Sequence, residues 1–246
     1  DALSPDPSVE VLLHAFLPPR YVDHTHADSV LVLTHLKDGE ARLREALGPR
    51  VGILPYIRSG LPLAKGVVDL YEHLQGVEAI VVLHHGIFTF GGDARTSYER
   101  MIEYVARAES YIKKRCARKS LVTRRREIKP LKDHLSSVSR VVNVIRGACA
   151  FPDADGSLLR CYTEVRDGTE MKDLSRSGEA ERICQSGVLT PDHAIRTKNK
   201  AANLRGVPKG DEELKKKVSQ SVNQFKKAYD RYFSKQVRAK RMEREE

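Results

Sequence analysis

Short apolar runs bounded by turn residues fill residues 1–110, and they restrict this part of the chain to a compact α/β unit. VGILP (51–55) and EAIVVLH (78–84) have the length and composition of buried strands. EARLREAL (40–47) and LAKGVVDLYEHL (63–74) space their apolar residues as helices do, and a glycine follows each. We predict that a further apolar run, SVLVLT (29–34), is also a strand.

The composition changes after residue 115, so we predict one region over residues 1–115 and a second over residues 116–246. The second begins with a basic stretch and should contain a short helix over LSSVSRVVNVIRGA and a hairpin over SLLRCYTEVRDG (157–168). Residues 166–180 and 197–212 are polar and loop-like. The last 35 residues should form one long helix, because apolar residues recur every three or four positions. These residues are Leu214, Val218, Val222, Phe225, Tyr229, Phe233 and Val237.

Charge and cysteine content narrow the class of protein. The net charge is +10, and ten Lys and Arg residues lie in residues 113–132. Such a basic stretch could bind the phosphates of a nucleic acid. The stretch has no recognition motif and little aromatic content, so a solvated basic face is the better interpretation. No apolar run is long enough for a membrane span. Four scattered cysteines argue against a disulfide framework and fit a reducing cytoplasm, where we place the protein. We expect neither nucleic acid nor a membrane as a partner.

Three histidines form the main candidate site. His24 and His26 are two residues apart, a spacing that points both side chains to one face of a strand. His85 ends a buried strand and precedes Gly86, which would let the backbone turn tightly. Three neutral imidazoles can hold a divalent metal with one position open for substrate. The alternative is that each motif alone is simply polar.

A candidate acid/base group lies upstream of the histidines. Glu10 opens an amphipathic helix that ends at Pro18 and Pro19. One interpretation is a glutamate favoured by the helix dipole. The other is a general base held beside the metal.

The order S-x-E-x-x-x-H, H-T-H and H-H-G resembles the class II aldolase/adducin family. Three segments look like the aldolase part of bifunctional rhamnulose-1-phosphate aldolase/short-chain dehydrogenase proteins, namely residues 7–31, 51–60 and 91–112. A fourth segment, GVLTPDHAIRTK (187–198), looks like the connector of the same proteins. The resemblance implies a three-layer α/β/α fold with a mostly antiparallel central sheet and flanking helices. Residues 1–115 would be the metal-binding domain, and residues 116–246 a basic connector with small α+β elements and the long helix.

The resemblance also implies a ligand set and a reaction. His24, His26 and His85, rather than His84, would bind a divalent metal, with zinc expected. Glu10 would act as acid/base. The reaction would be retro-aldol cleavage of a deoxyketose 1-phosphate, such as rhamnulose 1-phosphate, to dihydroxyacetone phosphate and lactaldehyde.

The resemblance further implies substrate contacts and an assembly. Tyr56 would help to protonate the aldehyde oxygen across a subunit interface, unless it is a buried residue at a strand end. Ser8 and Arg58 would contact the substrate, although a surface role suits Arg58 better. The partners would be a phosphorylated sugar and further copies of the chain, commonly as a tetramer.

Two departures from the family pattern keep other functions open. Nine residues precede Glu10, so most of the family's phosphate-binding segment is missing. No glycine-rich dinucleotide fingerprint follows a strand, so we expect a chain truncated at both ends and without NAD. The alternatives are an inactive fragment, a non-catalytic adducin-like interaction module, and a dehydratase or epimerase of the same fold.

Overall fold

The structure is a computed structural model that describes residues 7–116 and 134–240. Most of the basic stretch and the last six residues of the expected C-terminal helix lie outside these residues. The described chain forms two compact units, one of residues 7–116 with 188–197 and one of residues 134–187 with 198–240.

The first unit combines four strands with six helices within the described residues. The strands are β1 (Tyr21–Thr25), β2 (Val51–Leu54), β3 (Ala79–Val82) and β4 (Gly86–Gly91). The helices are α1 (Val11–Phe16), α2 (Asp28–Thr34), α3 (Gly39–Leu47), α4 (Leu61–His73), α5 (Ala94–Cys116) and α9 (Pro191–Arg196).

The sheet has the order β1-β4-β3-β2, and two of its three pairings are antiparallel. β1 and β3 both run antiparallel to β4, whereas β2 runs parallel to β3. The expectation of a mostly antiparallel central sheet with flanking helices is therefore confirmed. The end of β1, the end of β3 and the start of β4 all lie at one end of the sheet.

Successive residues of β3 and β4 belong to different hydrophobic clusters, because side chains alternate across a sheet. Ala79, Val81 and Ile87 pack with α2, α3 and α5. The second cluster joins β3 and β4 to α1 and α4; its strand residues are Ile80, Val82, Phe88 and Phe90. Helices thus cover both faces of the sheet, which gives three layers.

The prediction of a strand over residues 29–34 is wrong, because these residues form α2. Val30, Leu31, Leu33 and Thr34 are buried while Val32 is partly exposed, a helical pattern. A short apolar run suits a strand or a buried helix equally, and contacts with α3 and α5 decide for the helix.

The second unit contains α6 (His134–Ala148), β5 (Phe151–Pro152), β6 (Leu158–Leu159), α7 (Thr169–Arg176), α8 (Ala180–Cys184) and α10 (Asp211–Lys240). The long helix is confirmed over its described part, and each apolar residue of its expected stripe is buried or half-buried. Arg140 on α6 donates to Lys209 O and Asp211 Oδ1, both at 2.9 Å, at the start of α10.

Two predictions for the second unit need correction. β6 pairs with β5, upstream of the expected hairpin, and residues 160–168 contain no strand. Residues 166–180 contain α7, a short helix whose polar composition hid it. None of the helices in the described part of the chain combines the length and apolar character that a membrane crossing needs.

Candidate metal centre

The antiparallel pairing of β1 with β4 brings the three histidines together. His24 lies on β1 opposite Phe88, and His26 follows the end of the strand. His85 immediately precedes β4 and is buried. All three therefore lie where the end of β1 meets the start of β4.

The ring nitrogens converge at a spacing that suits a metal. His24 Nε2 lies 3.1 Å from His26 Nε2, and one nitrogen from each of the three rings lies within 4.8 Å of the others. A tetrahedral zinc ion with Zn–N bonds of about 2.0–2.1 Å holds its nitrogens roughly 3.4 Å apart. The three histidines could thus hold a metal ion.

Glu10 reaches the same point from α1. Its Oε1 accepts a hydrogen bond from His85 Nε2 at 2.8 Å, and its Oε2 lies 3.4 Å from His24 Nε2. The carboxylate is 14% exposed, because Leu13 and Leu17 hold this part of the chain against α4. A carboxylate therefore lies in contact with two of the three rings.

Hydrogen bonds on the far side of two rings determine which nitrogens are free. His24 Nδ1 lies 3.0 Å from Ile87 O, and His26 Nδ1 lies 2.6 Å from Asp192 Oδ2. Both partners only accept, so each Nδ1 carries the proton and each neutral ring presents a lone pair on Nε2. Two lone pairs 3.1 Å apart repel, and a bound cation would relieve that repulsion.

The surroundings keep His24 neutral and Glu10 charged. The His24 ring stacks on Phe88 at 3.9 Å, and burial lowers the pKa of His24 to about 4. The hydrogen bond from His85 holds the pKa of Glu10 below its ordinary value, although burial acts in the other direction. Neutral imidazole is the form that binds metal.

Gly86 is needed for space, whereas a tight turn was expected. The backbone φ angle of Gly86 is not positive, so the turn itself does not require a glycine. A Cβ there would lie 2.5 Å from Thr25 O, 2.8 Å from His24 Cε1 and 2.9 Å from His26 Cδ2. The missing side chain lets β1 approach closely enough for the histidines to meet.

The three other residues that the sequence singled out are Ser8, Tyr56 and Arg58. Ser8 Oγ accepts from Glu10 N at 3.2 Å and so shapes the start of α1. Tyr56 and Arg58 follow β2 in an exposed loop, and Tyr56 is 60% exposed, which excludes the buried alternative. Within the described residues, neither forms a hydrogen bond or ion pair with the histidines.

His84, which precedes His85, does not belong to the histidine cluster. His84 is exposed, has a positive φ of 61° and contacts the His35 ring at 4.6 Å, so His85 alone of this pair joins the cluster.

Sequence reasoning missed Asp192, which lies 166 positions beyond His26. The sequence TPD at residues 190–192 indicates only that a helix starts there. No local pattern indicates the contact of Asp192 with His26.

Two family models match the chain. Residues 2–112 match the family model of the Class II Aldolase and Adducin N-terminal domain, and residues 136–246 match that of Aldolase class II, second domain. The chain carries class II aldolase/adducin domains.

The chain is similar to three proteins of known sequence or structure. It is 28% identical over 238 residues to the Bacillus subtilis (strain 168) protein named Uncharacterized oxidoreductase YuxG, covering 95% of the chain and 34% of that protein. The chain therefore spans about a third of that relative's length. The N-terminal class II aldolase domain of a conserved Thermoplasma acidophilum protein is 41% identical over 46% of the chain and 51% of that structure, with a TM-score of 0.42. A Thermotoga maritima sugar-phosphate aldolase is 18% identical over 48% of the chain and 58% of that structure, with a TM-score of 0.41.

We expect Gly86→Ala to disrupt the centre of this class II aldolase domain. The new methyl group would push β1 away from β4, at a cost of about 1–3 kcal/mol in unfolding free energy. Urea unfolding measures this loss, and NMR of the imidazole rings should show His24 and His26 displaced. Gly92→Ala is the matched control, since a Cβ there meets nothing within 4 Å. Equal effects of the two substitutions would contradict the steric explanation.

We expect His24 to titrate near pH 4 in chelator-treated protein, followed by NMR of its ring. The unfolded ring has the ordinary pKa of 6.5, so the unfolded state binds the proton first as pH falls. This group therefore lowers stability between pH 6.5 and about 4 and has no further effect below that window. A midpoint near 6.5 would show that the Phe88 stack does not bury the ring.

Proposed function

We propose that this chain is a divalent-metal-dependent sugar-phosphate aldolase. The observation that supports it is the convergence of one ring nitrogen from each of three histidines at a place that Glu10 also reaches. A surface histidine pair would not need a buried third ring, a carboxylate in contact and a glycine that makes room for them. The matched family supports an aldolase-like activity of the lyase class.

His24, His26 and His85 are the proposed ligands, and zinc is the proposed metal. The nitrogen donors, their spacing and the neutral state of His24 all suit zinc. A divalent ion held there supplies a Lewis acid for a carbonyl oxygen of the substrate.

Glu10 is the proposed acid/base group. Its lowered pKa keeps it charged at neutral pH, so it can accept a proton. Its contacts with His24 and His85 hold the carboxylate beside the ligand cluster. In retro-aldol cleavage of a deoxyketose 1-phosphate such as rhamnulose 1-phosphate, the C3–C4 bond breaks to give dihydroxyacetone phosphate and lactaldehyde. The C4 hydroxyl loses its proton as the aldehyde forms, and Glu10 would take up that proton and deliver it to C3 of the phosphorylated fragment.

Tyr56 remains a proposed catalytic residue that would help to protonate the aldehyde oxygen, and Arg58 remains a proposed substrate contact. The loop that carries them follows β2, which runs parallel to β3, so it leaves the sheet at the same end as His85. Its exposure suits an encounter with a phosphorylated sugar or with another copy of the chain, in keeping with the proposed homo-oligomer. Ser8 is proposed to help through its backbone contact with Glu10.

The site also bears on the two competing functions. A non-catalytic interaction module has no need of a buried histidine cluster with a charged carboxylate. An epimerase or dehydratase would use the same residues, so product analysis must separate these reactions from aldol cleavage. We further propose kinship with the rhamnulose-1-phosphate aldolase/dehydrogenase proteins, on the motifs around Glu10 and the histidines.

We expect wild-type protein purified without chelator to hold about one zinc ion per chain. His26→Ala should lose it, because two histidines bind zinc far more weakly than three. Elemental analysis by mass spectrometry gives the content. His73→Ala, an exposed histidine on α4, is the control and should retain the ion. Wild-type protein that stays metal-free even after zinc is added would contradict the proposed centre.

We expect Glu10→Gln to keep the metal and to lose about 10²–10⁴-fold in kcat, because the amide cannot carry the proton. The assay follows dihydroxyacetone phosphate released from rhamnulose 1-phosphate and fuculose 1-phosphate. Glu72→Gln, an exposed glutamate on α4, should match the wild type. Full turnover in Glu10→Gln would remove this residue from the reaction.

A further inference from the structure

Asp192 contacts the histidine cluster from a distant part of the sequence. Its Oδ2 lies 2.6 Å from His26 Nδ1, closer than the carboxylate of Glu10 lies to His85 or to His24. Residues 188–197, which carry Asp192, pack within the first unit together with His26. The contact is therefore internal to one compact unit.

The contact acts on the side of the ring away from the cluster. A carboxylate only accepts hydrogen bonds, so it holds the proton on Nδ1 and leaves Nε2 free to point towards His24 and His85. His26 needs such a partner more than His24 does. His24 lies within β1 and stacks on Phe88, whereas His26 lies beyond the last residue of the strand.

The alternative explanation is an ordinary surface ion pair. Asp192 is 53% exposed and the His26 side chain is 24% exposed, so the pair would add little to folding stability. The contact with Asp192 contributes little to stability, but it determines the tautomer of the His26 ring. It is therefore better explained by a role in orienting that ring.

The short helix α9 holds this carboxylate in place. Thr190 is buried and caps the helix by accepting from His193 N at 3.2 Å, and Pro191 begins it. Asp192 is therefore carried on an ordered turn rather than on a free loop.

We propose that Asp192 is a positioning residue for the metal centre, and that residues 188–197 are a functional part of the first unit. The inference rests on the proposed metal-dependent function. Carboxylates that accept from a metal-bound histidine orient the ring and strengthen its binding, and their loss typically weakens metal affinity about 10–100-fold. Residues 7–116 alone would carry every proposed ligand and still bind the metal more weakly.

The test compares the zinc affinity of the 246-residue wild-type chain, Asp192→Ala, Asp192→Asn and Asp192→Glu by competition with a chromophoric chelator. We expect a loss of about 10–100-fold in Asp192→Ala, a smaller loss in Asp192→Asn and partial recovery in Asp192→Glu. Asp69→Ala, an exposed carboxylate on α4, is the matched control and should bind zinc as the wild type does. The urea midpoint of unfolding should be the same for all five proteins.

A second readout needs no metal. In chelator-treated protein, nitrogen NMR should show the His26 proton on Nδ1 in the wild type and shared between both nitrogens in Asp192→Ala. Wild-type zinc affinity in Asp192→Ala would overturn the positioning role while leaving the proposed function intact. Failure of the wild type itself to bind zinc would overturn the proposed function, and the wild-type titration alone would show it.

Discussion

The close antiparallel approach of β1 to β4 is the constraint on which the site depends. His24 pairs with Phe88 across these strands, and Gly86 leaves the room that the rings of His24 and His26 require. Side chains alternate on a strand, so a shift of one residue in this register would send His24 to the opposite face of the sheet. The same shift would separate it from Glu10, which belongs to the layer formed by α1 and α4.

The hydrophobic core and the chemistry are linked through this face of the sheet. Phe88 belongs to the cluster that α1 and α4 cover, and it is also the surface on which the His24 ring stacks. Burial that stabilises the fold thereby keeps an imidazole neutral, which a metal ligand requires. Leu13 and Leu17 likewise anchor the chain beside Glu10, so core packing determines where the carboxylate lies.

Local sequence patterns predict those parts of the molecule in which local interactions decide the structure. The runs that became β2, β3, α3 and α10 have a clear period or clear end signals. The run that became α2 fails the same test. Its four apolar residues fit a strand or a buried helix equally, and only packing against α3 and α5 decides. The meeting of Glu10 with the histidine motifs could be expected from a family resemblance. Asp192 could not, since a contact across 166 positions depends on how the chain folds back.

Charge balance explains why the site would require a separate group for its substrate. In the proposed centre, the carboxylates of Glu10 and Asp192 bring two negative charges to neutral imidazoles, and one divalent ion offsets both. Little net positive charge then remains for the phosphate of a sugar phosphate, which a carboxylate as close as Glu10 would repel. Under the proposed function, a cation outside the cluster would therefore bind the phosphate. Arg58 is the proposed candidate, because it is exposed and follows β2 at the same end of the sheet as His85.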